Sequence, residues 1–177
     1  MMPRNIEHIL DEFLLHKAAG PDVILCADPF LKCVFLEKLT HHTNHGIIYL
    51  DFDMLYSGYV NSGVFEMPNN VLIRRPGLTD WREEITSIVQ ITSTHEYLII
   101  IDSLNGMTTT LKRRSLALHS MMLMTSLGVT VNTRVVSAAI TKKPTGKWKI
   151  PGSHTSLTST TYVLDVIDDT ARLKKVV

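Results

Sequence analysis

Short apolar runs alternate with helical patterns along most of the chain, and this alternation constrains the fold more than any other feature of the sequence. The most apolar run, YLIIID at residues 97–102, ends on an acid, and shorter runs occupy residues 23–27, 46–52 and 71–75. Strands separated by helices predict a parallel sheet with right-handed crossovers and helices on both faces. We therefore expect an α/β fold of three layers, αβα.

The segments around these runs carry helical patterns. Apolar residues recur at helical spacing near the amino terminus and stop at Gly20-Pro21. Thr79 is a plausible N-cap for a later helix. The predicted helices cover residues 1–20, 30–41, 80–93 and 109–127.

The last third of the chain predicts a strand over residues 129–140, followed by a polar, lysine-containing loop over residues 141–156. Two further strand-like runs are joined by Asp168-Asp169, which predicts a hairpin that adds antiparallel strands at one edge of the sheet. These runs cover residues 160–167 and 171–177. Without an internal repeat or a linker, residues 1–177 are interpreted as one domain.

Composition constrains the function less than the order of strands and helices constrains the fold. Apolar residues make up 45% and charged residues 20%, and the formal net charge is +1, so any nucleic-acid contact needs a local basic patch. The two cysteines indicate a reducing, intracellular compartment. The sequence has neither a signal-peptide pattern nor an apolar stretch of the ~20 residues that cross a bilayer. We expect a soluble, cytoplasmic protein.

The turn after the first strand, CADPFLKC at residues 26–33, has the place of a phosphate-binding loop. Such a loop has the spacing GxxxxGK[ST], in which glycines let backbone N–H groups surround the phosphates. Aligned on Lys32, the loop has Cys26 and Leu31 at the glycine positions. Cys33 takes the place of the hydroxyl residue, so only the lysine is kept.

Two neighbours of this lysine also oppose phosphate binding. Asp28 puts a negative charge where phosphate would lie, and Pro29 removes an N–H donor. Lys32 is a candidate nucleotide-binding residue, but a lysine near a helix start is common on surfaces. We favour the interpretation of Lys32 as a solvated side chain.

Two other strands end on acids. Asp102, followed by Ser103, ends an apolar strand in the Walker B arrangement, in which the acid holds magnesium; the alternative is a helix cap. Asp51 and Asp53 follow the second strand with their side chains on one face, where one of them could polarise water. The equally open alternative is that they cap a helix beginning around Met54.

The order of a loop-bearing strand, YLDFD, LIIIDS and a basic loop before a final hairpin resembles the RecA/RadA/KaiC superfamily of P-loop ATPases. The resemblance implies that Asp53 activates the attacking water, although the usual residue is glutamate, and that Asp102 is the Walker B acid that holds Mg²⁺. It implies ATP and Mg²⁺ as cofactors held near Lys32, Asp102 and Ser103. The missing glycines depart from this pattern and resemble non-catalytic RecA-fold proteins, such as the small Elongator subunits and archaeal RecA-like paralogues that assemble with partners.

The basic loop predicts a second candidate surface. Four lysines around one tryptophan can neutralise phosphates while the indole stacks on a base of single-stranded nucleic acid. The alternative is a solvated loop whose tryptophan packs on the body of the protein. The candidate residues are Lys142, Lys143, Lys147, Trp148 and Lys149.

These features leave three functions open. The preferred hypothesis is a non-catalytic RecA-like protein that acts as a homo- or hetero-oligomer, with a nucleic-acid surface and no nucleotide. The second is an atypical ATPase that relies on Lys32, Asp53 and Asp102. The third is a scaffold module without a ligand.

Overall fold

The computed structural model describes residues 5–16, 20–141 and 159–176. In these residues the chain forms seven strands and six helices. The strands are β1 (Asp22–Cys26), β2 (Gly46–Leu50), β3 (Val71–Arg74), β4 (Tyr97–Ile101), β5 (Arg134–Ile140), β6 (Thr160–Ile167) and β7 (Thr170–Lys175). The helices are α1 (Ile6–Leu15), α2 (Pro29–His41), α3 (Leu55–Asn61), α4 (Trp81–Thr92), α5 (Leu104–Leu111) and α6 (Arg114–Val131).

The strands form one sheet in the order β3-β2-β4-β5-β1-β6-β7. Every neighbouring pair is parallel except β6 and β7, which form the antiparallel hairpin. Asp168 and Asp169 make the hairpin turn with φ of 51° and 58°, a left-handed conformation that aspartate tolerates. The predicted α/β fold with a mainly parallel sheet and a terminal hairpin is confirmed.

Helices cover both faces of the sheet because alternate residues of a strand point to opposite sides. In β4, Leu98 and Ile100 join a core cluster that contains residues of α1, α2 and α3, whereas Ile99 and Ile101 join a cluster with residues of α4, α5 and α6. The burial of apolar side chains in these two clusters stabilises the three layers. None of the helices in the described ranges is long and apolar enough to span a membrane.

The predicted helix over residues 109–127 is wrong at both ends. Ser103 caps α5, which begins at Leu104, five residues before the predicted start at residue 109, and Lys112 ends α5 in the left-handed conformation with φ of 52°. The next helix, α6, then continues through Val131, so residues 129–131 are helical and β5 begins only at Arg134. Asn132 ends α6 with φ of 59°, a left-handed cap in which asparagine substitutes for glycine.

The strand ends position the candidate site. Parallel strands β1, β2 and β4 end at Cys26, Leu50 and Ile101, and Leu50 pairs in register with Ile101. We call this end of the sheet the carboxyl edge and the opposite end the amino edge. In open parallel sheets, ligands bind beyond the carboxyl ends of the strands.

Candidate functional site

Lys32 lies inside the carboxyl edge. Its side chain is 1% exposed, and its Nζ donates a hydrogen bond to Oδ2 of Asp53, which forms an ion pair with it. The interpretation of Lys32 as a solvated side chain is therefore wrong. The first turn of α2 directs the lysine into the protein. An unpaired ammonium would be costly to bury there, and the carboxylate of Asp53 compensates its charge.

Asp102 lies in the same cluster and is buried, with 1% exposure. Its Oδ1 accepts a hydrogen bond of 2.8 Å from the backbone N–H of Phe52, which ties the ends of β2 and β4 together. Burial, together with the hydrogen bond and the charge of Asp53, raises the pKa of the Asp102 carboxyl to about 10. Asp102 is therefore protonated at neutral pH and donates to Asp53.

Asp53 behaves in the opposite way. Burial alone would raise the pKa of its carboxyl, but the hydrogen bonds from Asp102 and Lys32 and the charge of Lys32 lower the pKa below its usual value. Asp53 is thus an ionised carboxylate held between a neutral carboxyl and an ammonium group. The arrangement separates the pKa values of two neighbouring acids, as catalytic and structural carboxyl pairs both do.

Both acids that follow β2 also hold the start of α3. Oδ1 of Asp53 accepts from the N–H of Leu55 at 3.1 Å, and Oδ2 of Asp51 accepts from the N–H of Ser57 at 3.2 Å. The capping interpretation of these acids is confirmed by these bonds. The activation of water by Asp53 stays a prediction.

Asp51 has a further neighbour that the sequence analysis did not assign. The Nε atom of Arg75 lies 3.8 Å from Oδ2 of Asp51, and the arginine side chain is half-exposed. Arg75 directly follows β3, which runs parallel to β2. The pair depends on β2 and β3 being neighbours in the sheet, which the spacing of the two residues in the sequence does not indicate.

Asp28 occupies the amino end of α2. Its Oδ1 accepts hydrogen bonds from the N–H groups of Phe30 at 2.8 Å and Leu31 at 3.2 Å. Pro29, the first residue of the helix, has no N–H to offer. The donors that a phosphate-binding loop directs at its ligand are here used by a carboxylate of the same chain.

Ser103 performs a similar local task at the start of α5. Its Oγ accepts from the N–H of Gly106 at 2.9 Å, and its side chain is buried. A Cβ added at Gly106 would lie 3.0 Å from this Oγ and 3.0 Å from Cβ of Phe52, so the glycine allows the close approach. The hydroxyl that was predicted to bind a cofactor acts as a helix cap, and its contact with a nucleotide stays a prediction.

The carboxylates of Asp51, Asp53 and Asp102 form a compact group. One oxygen atom of each lies within 4.8 Å of one oxygen of the other two. Among the described residues no other group of three acids, histidines or cysteines is this close. The three oxygens fit a hard divalent cation such as Mg²⁺, which prefers carboxylate ligands.

The structure thus brings together Lys32, Asp53 and Asp102, and adds Asp51 to them. The basic loop cannot be compared in the same way, because its candidate residues lie outside the described residues. These are Lys142, Lys143, Lys147, Trp148 and Lys149.

Comparison of the sequence with protein-family models and with curated proteins finds no match.

Proposed function

We propose that this chain is a RecA-like protein that does not hydrolyse ATP and that acts through assembly with other subunits. The observation that carries the proposal is the bonding of Asp28 at the start of α2. Its carboxylate accepts from the two N–H groups, of Phe30 and Leu31, that face the position of the phosphates in a working loop. A triphosphate at this helix end would meet a negative charge and donors that are already used.

The position of Lys32 supports the same function. Its ammonium is buried against Asp53, whereas a nucleotide-binding lysine must reach the β- and γ-phosphates. Breaking the pair would leave a buried charge without its partner, which costs several kcal/mol in typical proteins. ATP binding would have to offset this cost before any net affinity remained.

Exposed apolar side chains at the carboxyl edge support assembly. Phe30, Met54 and Leu78 follow β1, β2 and β3, and their exposed fractions are 38%, 63% and 43%. Apolar side chains exposed at one end of a sheet offer contacts to another protein. The proposal allows either a second copy of this chain or a different subunit as the partner.

Calorimetric titration with ATP and Mg²⁺ tests the loss of nucleotide binding. We expect no saturable heat in the millimolar range. Lys32→Ala is the test variant and Lys38→Ala is its matched control, since both lysines lie on α2 but Lys38 is partly exposed. Magnesium-dependent binding that Lys32→Ala removes and Lys38→Ala keeps would overturn the proposal.

Light scattering over a range of protein concentrations tests assembly. We expect a mass that rises above that of the 19.9 kDa chain as concentration increases. A constant monomer mass would contradict self-assembly. Retention of a different subunit during purification at the natural expression level would then be required for the proposal to stand.

An atypical ATPase is the second candidate, and the meeting of Lys32, Asp53 and Asp102 in one cluster favours it. In that case Asp102→Asn abolishes ATP turnover, and a variant with the parent rate would exclude this candidate. The measurement is phosphate release with Mg²⁺, with Glu83→Gln on the exposed side of α4 as the control.

Binding of single-stranded nucleic acid is part of the proposal through the loop over residues 141–156. Fluorescence anisotropy with a labelled oligonucleotide should show an affinity that falls as salt rises and that Lys147→Ala and Trp148→Ala weaken. An affinity that neither variant changes would contradict this role. Absence of both nucleotide and nucleic-acid binding would favour a scaffold module.

A further inference from the structure

Two protrusions of opposite charge extend beyond the carboxyl edge, and neither belongs to the aspartate cluster. The first is the turn of the hairpin that β6 and β7 form. β6 runs parallel to β1, and its Leu164 pairs in register with Cys26, the last residue of β1. β6 continues to Ile167, so it extends past the end of β1 by about 10 Å at the usual rise per strand residue.

The turn at the end of this extension is acidic. Asp168 and Asp169 are both exposed, and neither forms an ion pair with a described basic side chain. The nearby Asp165 lies opposite Arg172 on β7, which offsets its charge. The excess negative charge is therefore carried by Asp168 and Asp169, and we call these two residues the acidic tip.

The second protrusion is the turn between α5 and α6, and it is basic. Lys112, Arg113 and Arg114 are consecutive and exposed. Within the described ranges none of them forms an ion pair. We call these three residues the basic turn. Three adjacent cations without partners repel one another, so a negatively charged surface of another molecule would relieve that repulsion.

The packing of α6 places the basic turn beyond the carboxyl edge. α6 leads into β5, which begins at the amino edge, so the helix starts on the carboxyl side of the sheet. Nε1 of Trp81, the first residue of α4, donates to Oγ of Ser120 in α6 at 2.9 Å. α4 follows the carboxyl end of β3, so Ser120 is level with this edge. Arg114 then lies about 9 Å further out along the helix axis.

Exposed apolar side chains belong to the same end of the molecule. Val166 and Ile167, beside the acidic tip, are 38% and 42% exposed, and they add to Phe30, Met54 and Leu78. Exposed charge pairs alone contribute little to stability, so a lasting contact also needs apolar area. An interface of standard size covers roughly 800 Å² on each partner, and these side chains supply part of it.

We propose that the carboxyl edge binds a second copy of this chain in a two-fold symmetric dimer, in which the acidic tip of each copy contacts the basic turn of the other. Because both protrusions lie at one end of the molecule, both charge contacts form at once when these two ends face each other. Such a contact closes after two subunits. The formal net charge of +1 leaves little overall repulsion between copies. The inference rests on the proposed assembly and names its partner.

Sedimentation velocity over a range of protein concentrations tests the dimer. We expect twice the mass of the 19.9 kDa chain at high concentration and a dissociation constant that rises with salt. One variant reverses the basic turn by Arg113→Glu with Arg114→Glu, and another reverses the acidic tip by Asp168→Lys with Asp169→Lys. Each should raise the dissociation constant at least about a hundredfold, because like charges then meet at both contacts.

An equal mixture of these two variants gives the sharpest result. Both protrusions are negative in the first variant and positive in the second, so each variant repels itself and the mixture should form a heterodimer. The control is Lys174→Glu with Lys175→Glu, which changes the net charge as much as the first variant does. These exposed lysines of β7 are level with the interior of β1, and their reversal should leave the dissociation constant unchanged.

A milder variant of the acidic tip protects the test against misfolding. Asp168 and Asp169 have φ of 51° and 58°, a left-handed conformation that lysine tolerates less well than asparagine. Asp168→Asn with Asp169→Asn keeps the turn and removes the charge, so it should weaken the dimer about tenfold. Circular dichroism verifies that each variant is folded.

The possible outcomes separate this surface from the function proposed above. A dimer that none of the reversals weakens would overturn this surface and leave the proposed assembly intact. A parent that stays monomeric at every concentration would overturn both the dimer and self-assembly, and a mass that grows beyond two copies would contradict a closed contact. Loss of oligonucleotide binding on reversal of the basic turn, with an unchanged dimer, would assign that turn to phosphate groups and overturn the proposal.

Discussion

The amino edge and the carboxyl edge of the sheet each bury an aspartate beside a basic side chain, but they use the pairs differently. At the amino edge, Nε of Arg134 donates to Oδ2 of the fully buried Asp22 at 2.8 Å. The same guanidinium donates to the carbonyl of Phe13 at 3.0 Å and lies 4.2 Å from the centre of its ring. These contacts attach the end of α1 to the sheet.

At the carboxyl edge, three carboxyl groups share one buried lysine and a half-exposed arginine. The donors of Arg134 are used for packing and helix attachment, and each edge keeps a buried carboxylate oxygen without a donor, Oδ1 of Asp22 at the amino edge and Oδ1 of Asp51 at the carboxyl edge. An ion pair that satisfies its donors is typical of structural attachment. The amino edge pairs one acid with one guanidinium, whereas three acids share two basic side chains and one proton at the carboxyl edge, and this difference in number separates the two edges.

The largest loss of stability is expected from a substitution at the amino edge. Arg134→Met removes the partner of Asp22 and leaves a carboxylate in a position without exposure to water. We expect a loss of about 4 kcal/mol in the free energy of unfolding, measured by urea denaturation. Arg134→Lys keeps the charge but not the planar set of donors, and its free energy of unfolding should fall less than that of Arg134→Met. Equal losses for both variants would show that packing, not charge, dominates this edge.

Lys32→Met should destabilise the protein by about 3 kcal/mol in the same assay. The loss is smaller than for Arg134→Met because Asp53 is 22% exposed and water can hydrate its carboxylate. Lys38→Met is the matched control on α2. Lys38 is 29% exposed, and its ion pair with Glu37 should contribute less than about 1 kcal/mol, because Glu37 also pairs with His41. If Lys32→Met leaves the free energy of unfolding unchanged, the ion pair of Lys32 contributes no more to stability than a solvated lysine would.

The pH dependence of stability distinguishes the carboxyl edge by its shared proton. The pKa of Asp102 rises from 3.8 to about 10 on folding, so its contribution to stability is fully present below the lower value and is lost as pH rises towards the upper one. Without added divalent cations, the loss approaches about 1 kcal/mol per pH unit. Asp102→Asn mimics the neutral carboxyl and should flatten this slope.

The variant must be compared with its parent at each pH, because burial also raises the pKa of Asp22 and gives a slope of the same sign. The difference between the two urea-unfolding curves, from mildly acidic to mildly alkaline pH, isolates Asp102. Parallel slopes for both proteins would contradict the shared proton.

The smallest effect is expected at Asp28. Asp28→Ala removes the acceptor for the N–H groups of Phe30 and Leu31 and should cost about 1 kcal/mol in the free energy of unfolding. Asp28→Ser keeps an N-cap without the charge and should cost only a few tenths. A larger loss for Asp28→Ser than for Asp28→Ala would exclude capping as the role of this carboxylate.

Local chemistry explains which parts of the fold the sequence predicts. The hairpin of β6 and β7 and its Asp168-Asp169 turn follow from alternation and turn residues that act over a few positions. The break at Lys112 is not predicted, because neither glycine nor proline marks it and a lysine takes the left-handed cap. Val129 and Val131 favour a strand by propensity, yet the structure keeps them in α6.

In the candidate site too, features set by neighbouring residues were predicted and features set by distant residues were not. Asp53 and Asp102 were identified because each directly follows an apolar strand, which is a feature of the sequence around them. The burial of Lys32 depends on a carboxylate 21 positions away, and the pairing of Asp51 with Arg75 depends on the order of the strands. Such contacts exist only after the sheet has formed, so spacing in the sequence cannot indicate them.

The position of β1 in the sheet has a consequence for synthesis on the ribosome. This early strand lies between β5 and β6, and its Asp22 pairs in register with Val136 and Thr160. Both neighbours emerge more than a hundred residues later, so the nascent chain carries an apolar strand with two open edges for most of its translation. Sheets built from such distant pairings form slowly and are exposed to aggregation. The yield of folded protein should therefore depend more on translation speed and chaperone contact than on the stability of the finished fold.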